Sequence, residues 1–218
     1  MGPAAPQYGR HVKIPAIAIS RLSVYARHLA RLKGKGTEII SSGRLADMCG
    51  VNPAQIRKDL GYFGDFGVRG VGYYVQELLF EIRKILGSDQ QWRLGLVGVG
   101  NLGLALLKHR EFTNNGYTFV AVFDKRAKKI GIEINRLKVQ PLEAINYAVE
   151  KKGMEIGVIA VKPVLAQEVA DILIRAGIHG ILNFSPVQIE CPMHVSIENV
   201  DFSIKLEKLC YKIKSQRS

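Results

Sequence analysis

Cysteine is scarce in this 218-residue chain: Cys49, Cys191 and Cys210 stand far apart and no CxxC pair occurs. An odd count at wide spacing supports neither a disulfide framework nor a zinc site, so no metal is expected, and a reducing cytoplasmic compartment fits best. Long apolar runs are also missing. No stretch reaches the roughly 18 apolar residues that span a membrane. Met1–Arg10 lacks the apolar core of an export signal and reads as a short flexible arm. Acid is the third shortage, with 19 Asp and Glu against 31 Lys and Arg and a formal net charge of +12. Such a chain is drawn to polyanions, nucleic acid first and an anionic membrane surface second. Both halves share the excess, so the choice rests on where particular cations fall.

What is present suits a globular protein: 47% of residues are hydrophobic, enough to build the core of one large domain or two small ones. From Ile14 to about Leu86 the period is helical. Leu22, Tyr25, Leu29 and Leu32 recur at spacings of three and four, and Leu78, Leu79, Ile82 and Leu86 repeat the pattern. From Trp92 short apolar runs (94–97, 119–123, 157–161 and 178–184) alternate with helical segments over 102–108, 142–151 and 164–176. That alternation predicts a doubly wound parallel α/β sheet. Residues 87–91 read as a linker, giving expected domains over 1–87 and 92–199, with a terminal helix over 200–218.

In the first domain Ser41 and Ser42 offer a cap to a short helix that Gly50 ends. Asn52 and Pro53 then start a second helix. Two short helices joined so predict a helix-turn-helix. Ile56 and Leu60 face inward, leaving Gln55, Arg57 and Lys58 to point outward, where Gln reads adenine and Arg reads guanine. The glycines and aromatics of 63–73 suit a tight β-hairpin, a wing with Arg69 at its tip for the minor groove or phosphate. Winged helix and basic face together predict binding to double-stranded DNA.

In the second domain the strand 93–97 runs into Gly98-Val99-Gly100-Asn101-Leu102-Gly103 and then an apolar helix. A GxGxxG at the end of the first strand of an α/β pattern is where chemistry needs it. The first glycine turns tightly, the second lets pyrophosphate approach, and the third lets helix pack on strand. Asp124 ends the next strand about twenty residues on, where an acid accepts the ribose hydroxyls of NAD. Lys125 and Arg126 follow, and basic residues there can favour the 2′-phosphate of NADP instead; the retained Asp124 favours NAD. A dehydrogenase also needs an acid–base group near the hydride. His109, His179 and His194 sit in no such constellation, so no catalytic residue is assigned and the cofactor is expected to be a signal.

These residues together resemble the Rex family of redox-sensing repressors over nearly the whole chain. The stretches that carry the resemblance are Ile14-Pro15 with Arg21-Leu22, residues 54–60, Tyr62-Phe63-Gly64 through Arg69–Tyr73, Gly98–Gly103, residues 176–184 and Val200-Asp201. The resemblance implies a homodimer whose C-terminal helix is exchanged between subunits. It also implies binding to a palindromic operator when NADH is scarce, release when NADH rises over NAD+, and Arg21 pairing with Asp201 in one dimer state with Phe202 near the nicotinamide. Phe202, Leu206, Leu209 and Ile213, spaced four, three and four, give that helix an apolar face. Leu104, Arg110, Lys125-Arg126 and Lys162-Pro163 depart from the family pattern, and the cations among them make the cofactor region more basic. Two other readings stay open: a small NAD(P)-dependent oxidoreductase with a DNA-binding domain, or a regulator holding another adenine nucleotide such as coenzyme A.

Overall fold

The computed structural model describes residues 14–109, 112, 113 and 115–217. The arm Met1–Arg10 and the basic residue Arg110 lie outside the described residues. The chain divides into two compact units between Gln90 and Gln91.

The first unit opens with α1 (Ala16–Gly34), which buries Ala18, Leu22, Tyr25, Leu29 and Leu32 along one stripe. Next come β1 (Ile39–Ile40), α2 (Ser42–Cys49) and α3 (Pro53–Gly61). Helices this short do not persist alone in water, and both are capped. Ser41 Oγ accepts the Arg44 N–H at 3.2 Å, and Gly50 closes α2 at φ 66°. Asn52 Oδ1 accepts the Gln55 N–H at 2.8 Å, with Pro53 in the first turn of α3. β2 (Tyr73–Tyr74) pairs antiparallel with β1, and α4 (Val75–Ile85) completes the unit. Leu22, Tyr25, Leu29, Ile40, Leu45, Ile56, Leu60, Leu78 and Ile82 meet in one core. Each such side chain contributes roughly 1.5–3 kcal/mol on leaving water.

The wing is smaller than the sequence predicts. Its only antiparallel pairing among the described residues of 63–72 is the single bridge Val68–Gly72, and the two-stranded ladder forms between β1 and β2 instead. Four glycines in this segment leave few side chains for a longer strand pair to bury. Backbone bonds hold the loop: Val68 N–H to Gly72 O at 2.9 Å and Gly72 N–H to Val68 O at 3.0 Å.

The second unit is a seven-stranded sheet. Its elements run β3 (Trp92–Val97), α5 (Asn101–Lys108), β4 (Tyr117–Phe123), β5 (Glu133–Ile134), β6 (Leu137–Gln140), α6 (Ile145–Lys152), β7 (Ile156–Ile159), α7 (Pro163–Arg175), β8 (Gly180–Asn183), β9 (Ser196–Asn199) and α8 (Phe202–Gln216). Spatial order is β5-β6-β4-β3-β7-β8-β9, with all neighbours parallel except the β5–β6 hairpin. The chain enters at central β3, winds outward to β6, then crosses back to β7, so the order reverses between β3 and β7. That switch point is where open α/β sheets bind ligands. Both sheet faces are covered, which explains why β3 is buried continuously from Leu94 to Val97. Alternate residues feed two clusters, one with Val97, Phe123 and Ile159, the other with Leu96, Val122 and Val158.

The β5–β6 hairpin and β9 were not among the expected strands. The predicted helix over 142–151 begins as a 3₁₀ turn, Leu142–Ala144, before α6. α8 buries no residue: Phe202, Leu206, Leu209 and Ile213 are 40–61% exposed. Among the described residues no helix is long and apolar enough to cross a membrane, and no group of three or more His, Cys, Asp or Glu is placed to hold a metal.

Candidate functional site

The helix-turn-helix presents its cations as expected. Arg57 and Lys58 are exposed on α3, Arg69 is exposed on the wing, and Ile56 and Leu60 are buried behind them. Arg57 Nη1 donates to Ser42 Oγ at 3.0 Å, which holds the guanidinium against the start of α2. A groove between α3 and the wing is lined by Ser42, Arg57, Leu60, Arg69 and Tyr73.

Gln55, the expected adenine reader, also braces its own helix. Its Nε2 donates to Asp59 Oδ1 at 2.8 Å within α3. That bond uses one of the two Nε2 hydrogens, and the other, together with Oε1, leaves a bidentate contact to adenine open. Asp59 is the residue the sequence reading missed. It is wholly buried and receives Arg21 Nε at 2.5 Å, Arg21 Nη2 at 2.7 Å and Tyr25 Oη at 2.7 Å. Burial opposes its ionisation, yet the bonds from Arg21, Tyr25 and Gln55 outweigh burial and hold the carboxyl below the usual carboxylate range. The cluster ties the reading helix α3 to α1. Arg21, expected to meet Asp201, is thus held within its own unit, and Asp201 Oδ1 accepts the Ser203 N–H at 2.8 Å as the cap of α8. Phe202 is exposed beside it.

The glycine loop fits a dinucleotide. Gly98 leaves β3 at φ +102°, and a Cβ there would drive into the Ala160 carbonyl oxygen. A Cβ at Gly103 would drive into the Gly98 carbonyl oxygen, so helix and turn touch only because both residues are glycine. Gly100 faces open space, the room a pyrophosphate needs, and caps α5 without any side-chain bond. The first-turn N–H groups of Asn101, Leu102 and Gly103 have no intrahelical carbonyl to meet, which suits an anion. Asn101 and Leu102 are exposed at this end.

Two expected ligands are otherwise employed. Val99 is buried, and its N–H donates to Asp124 Oδ2 at 2.9 Å, which removes it from phosphate binding. Lys125 Nζ lies 2.9 and 3.1 Å from the Glu168 carboxylate on α7, away from Asp124. Asp124 itself stands where predicted but is already occupied. Oδ1 accepts the N–H and the Nε of Arg126, each at 2.9 Å, and Oδ2 accepts Arg126 Nη2 at 2.8 Å beside the Val99 N–H. Burial opposes ionisation of Asp124, but these four donors overcome it and keep the acid well below the usual carboxylate range. Lys129 Nζ donates to the Val99 carbonyl, and Arg126 Nη2 reaches that oxygen at 3.4 Å.

The far wall also escaped sequence reasoning. Asn183, wholly buried at the end of β8, holds the carbonyls of Ser185 and Val187 and Asn199 Oδ1 within 2.8–3.1 Å of Nδ2, whose two hydrogens they share, while its Oδ1 accepts the Ser185 N–H. Ser185 Oγ donates to the Val161 carbonyl at 2.7 Å. The Asn183 amide thereby braces the loop after β8 against the end of β9, and Ser185 ties that loop to the one after β7. A buried Asn in an apolar strand run was the available signal, since such a group must be hydrogen-bonded.

A winged helix carrying exposed cations and a separate sheet with a dinucleotide crevice define a ligand-responsive DNA-binding regulator. A family model described as "Putative DNA-binding protein N-terminus" matches residues 13–61, and one described as "CoA binding domain" matches residues 89–187. The redox-sensing transcriptional repressor Rex of Desulforamulus reducens is 48% identical over 93% of this chain and 96% of its own. The crystal structure of RSP in complex with β-NAD+ and operator DNA superposes with a TM-score of 0.89 at 34% identity, covering 94% of this chain and 95% of RSP. RSP in complex with β-NADH gives a TM-score of 0.85 at 32% identity, covering 94% and 97%. This chain belongs to the Rex family of redox-sensing transcriptional repressors.

Proposed function

We propose that this protein represses transcription by binding a palindromic operator through α3 and the wing, and that NADH, in competition with NAD+, releases it. The observation that carries the reading is the Gly98–Gly103 loop at the switch point. It is open at Gly100 and closed at Gly98 and Gly103, in a chain whose relative RSP binds NAD+ together with operator DNA. In this reading Arg57, Lys58 and Arg69 hold DNA. The 98–103 loop holds pyrophosphate, and Asp124 serves the adenosine ribose. The bound nicotinamide supplies the redox state that is sensed.

The protein acts as a homodimer in the cytoplasm, in domains over 1–87 and 92–199 with an exchanged helix over 200–218. A 15-residue helix with no buried side chain and a row of exposed Phe, Ile, Leu and Tyr supports that exchange. One arrangement of the dimer pairs Arg21 with Asp201 of the other subunit, which requires Arg21 to leave Asp59. Ligand and DNA then act on each other by preferring different arrangements. The protein does not turn its cofactor over, in keeping with relatives that are repressors. A second reading, with coenzyme A in the crevice, is favoured only by the description of the family model over 89–187.

The test is a gel shift at fixed salt, with a duplex selected by the protein from a random-sequence pool. NADH is expected to release the duplex and NAD+ to leave it bound. Release by neither would sink the sensing claim, and release by coenzyme A alone would favour the second reading.

A further inference from the structure

Arg126 sits on the group that a ribose needs. An adenosine ribose with two free hydroxyls can only donate to Asp124, yet the lone pairs of that carboxylate are taken by the side chain and N–H of Arg126 and by the N–H of Val99. The contact is a bidentate arginine–carboxylate pair, the strongest common form of charge-assisted bond. Its two partners differ in exposure: the Asp124 side chain is 4% exposed and that of Arg126 is 50% exposed. The arginine can therefore swing away without unpacking the unit. When it does, Oδ1 keeps the Arg126 N–H and Oδ2 keeps the Val99 N–H, so the buried acid stays satisfied and two acceptor positions open.

The two nicotinamide dinucleotides meet this arrangement differently. An unphosphorylated ribose replaces a charged donor by two neutral hydroxyls, so the guanidinium loses its anion. A ribose 2′-phosphate offers the guanidinium a new anion beside the old one. Lys129, held on the Val99 carbonyl, adds a second positive charge at this end of the crevice. Lys125 is paired with Glu168 through two exposed side chains.

Resting on the reading of the crevice as a nicotinamide dinucleotide site, we propose that Arg126 is a specificity-determining residue that relaxes the choice between NAD(H) and NADP(H). It competes with the ribose diol for Asp124 and, once displaced, pairs with a 2′-phosphate.

Titration calorimetry of the full chain and of Arg126→Ala, with NADH and with NADPH at one pH and salt, tests this. The wild-type protein should bind the two nucleotides with affinities within about tenfold of each other. Arg126→Ala should bind NADH about tenfold tighter and NADPH about tenfold weaker, so that their ratio opens by about a hundredfold. Arg126→Lys, which keeps the charge but loses the fork, should fall between them. NADH binding without NADPH binding in the wild type, or a ratio unmoved by Arg126→Ala, overturns the role of Arg126 while leaving the sensing reading intact. Failure of both nucleotides to bind the wild type overturns the sensing reading and this proposal together.

Discussion

Two buried carboxylates, one in each unit, grip an arginine by its Nε and Nη2, and they differ in what the arginine leaves behind on departure. Asp59 shares its load with Tyr25 and Gln55, and Arg21 on the core-packed helix α1 is 24% exposed at its side chain. Asp124 draws its remaining support from backbone N–H groups, and its arginine is half exposed on a loop. The same ion-pair chemistry thus gives a strut in the DNA-reading unit and a removable cap in the dinucleotide crevice. Each acid would keep two other donors, so the exposure of the cation and the element that carries it decide which.

Substitutions can remove the crevice opening or the strut. The largest effect is expected in the crevice, where Gly100→Val fills the space left for pyrophosphate. NADH affinity measured by calorimetry should fall by about a hundredfold or more, while operator binding by gel shift stays unchanged. A normal NADH response in this variant would move the phosphates away from the 98–103 loop. Next comes the strut. Asp59→Ala leaves Arg21 and Tyr25 without their buried acceptor and should cost about 3 kcal/mol in urea unfolding of the N-terminal unit. A loss below about 1 kcal/mol would reduce the cluster to the worth of a surface pair.

Smaller effects sharpen the reading face beside the strut. Arg57→Ala should weaken operator binding by about 1–3 kcal/mol per half-site, whereas Lys58→Ala should lower the salt slope of binding by about one per subunit. If neither variant changes affinity or slope, α3 is not the reading helix. The least effect at neutral pH is the titration of Asp59. Its folded value lies below the ordinary carboxylate value of about 3.9, so the stabilisation is complete above that value and is lost as pH falls through the folded one. The stability gap between wild type and Asp59→Ala should therefore be constant near neutral pH and close below about pH 4. A gap that persists into strong acid would mean that the charge on Asp59 does not stabilise the unit.

Local chemistry explains what was legible in the sequence. Ser41, Asn52 with Pro53, and Gly50 each act within a few residues, so capped helices could be read directly. Gly98 and Gly103 are demanded by backbone contact at fixed offsets, and Asp124 ends an apolar strand. The short edge strands were hidden because Glu133–Ile134 and Ser196–Asn199 carry no apolar run and exist only by pairing with a neighbour. Asp59 was hidden for another reason. An acid four residues from Gln55 on an amphipathic helix reads as solvated, and its arginine lies 38 residues away. For the same reason Lys125 and Arg126 looked alike in sequence, and only the fold sends one to Glu168 and the other to Asp124.

The most direct test of coupling between the two units is a closed cycle. NADH affinity would be measured on the free protein and on the operator-bound protein, and operator affinity with and without saturating NADH. Linked sites require NADH to bind the operator complex more weakly than the free protein, by the same factor as NADH weakens operator binding. A factor above about fivefold, equal on both sides of the cycle, is the expected result. Equal NADH affinity in the presence and absence of operator would contradict a redox-sensing repressor.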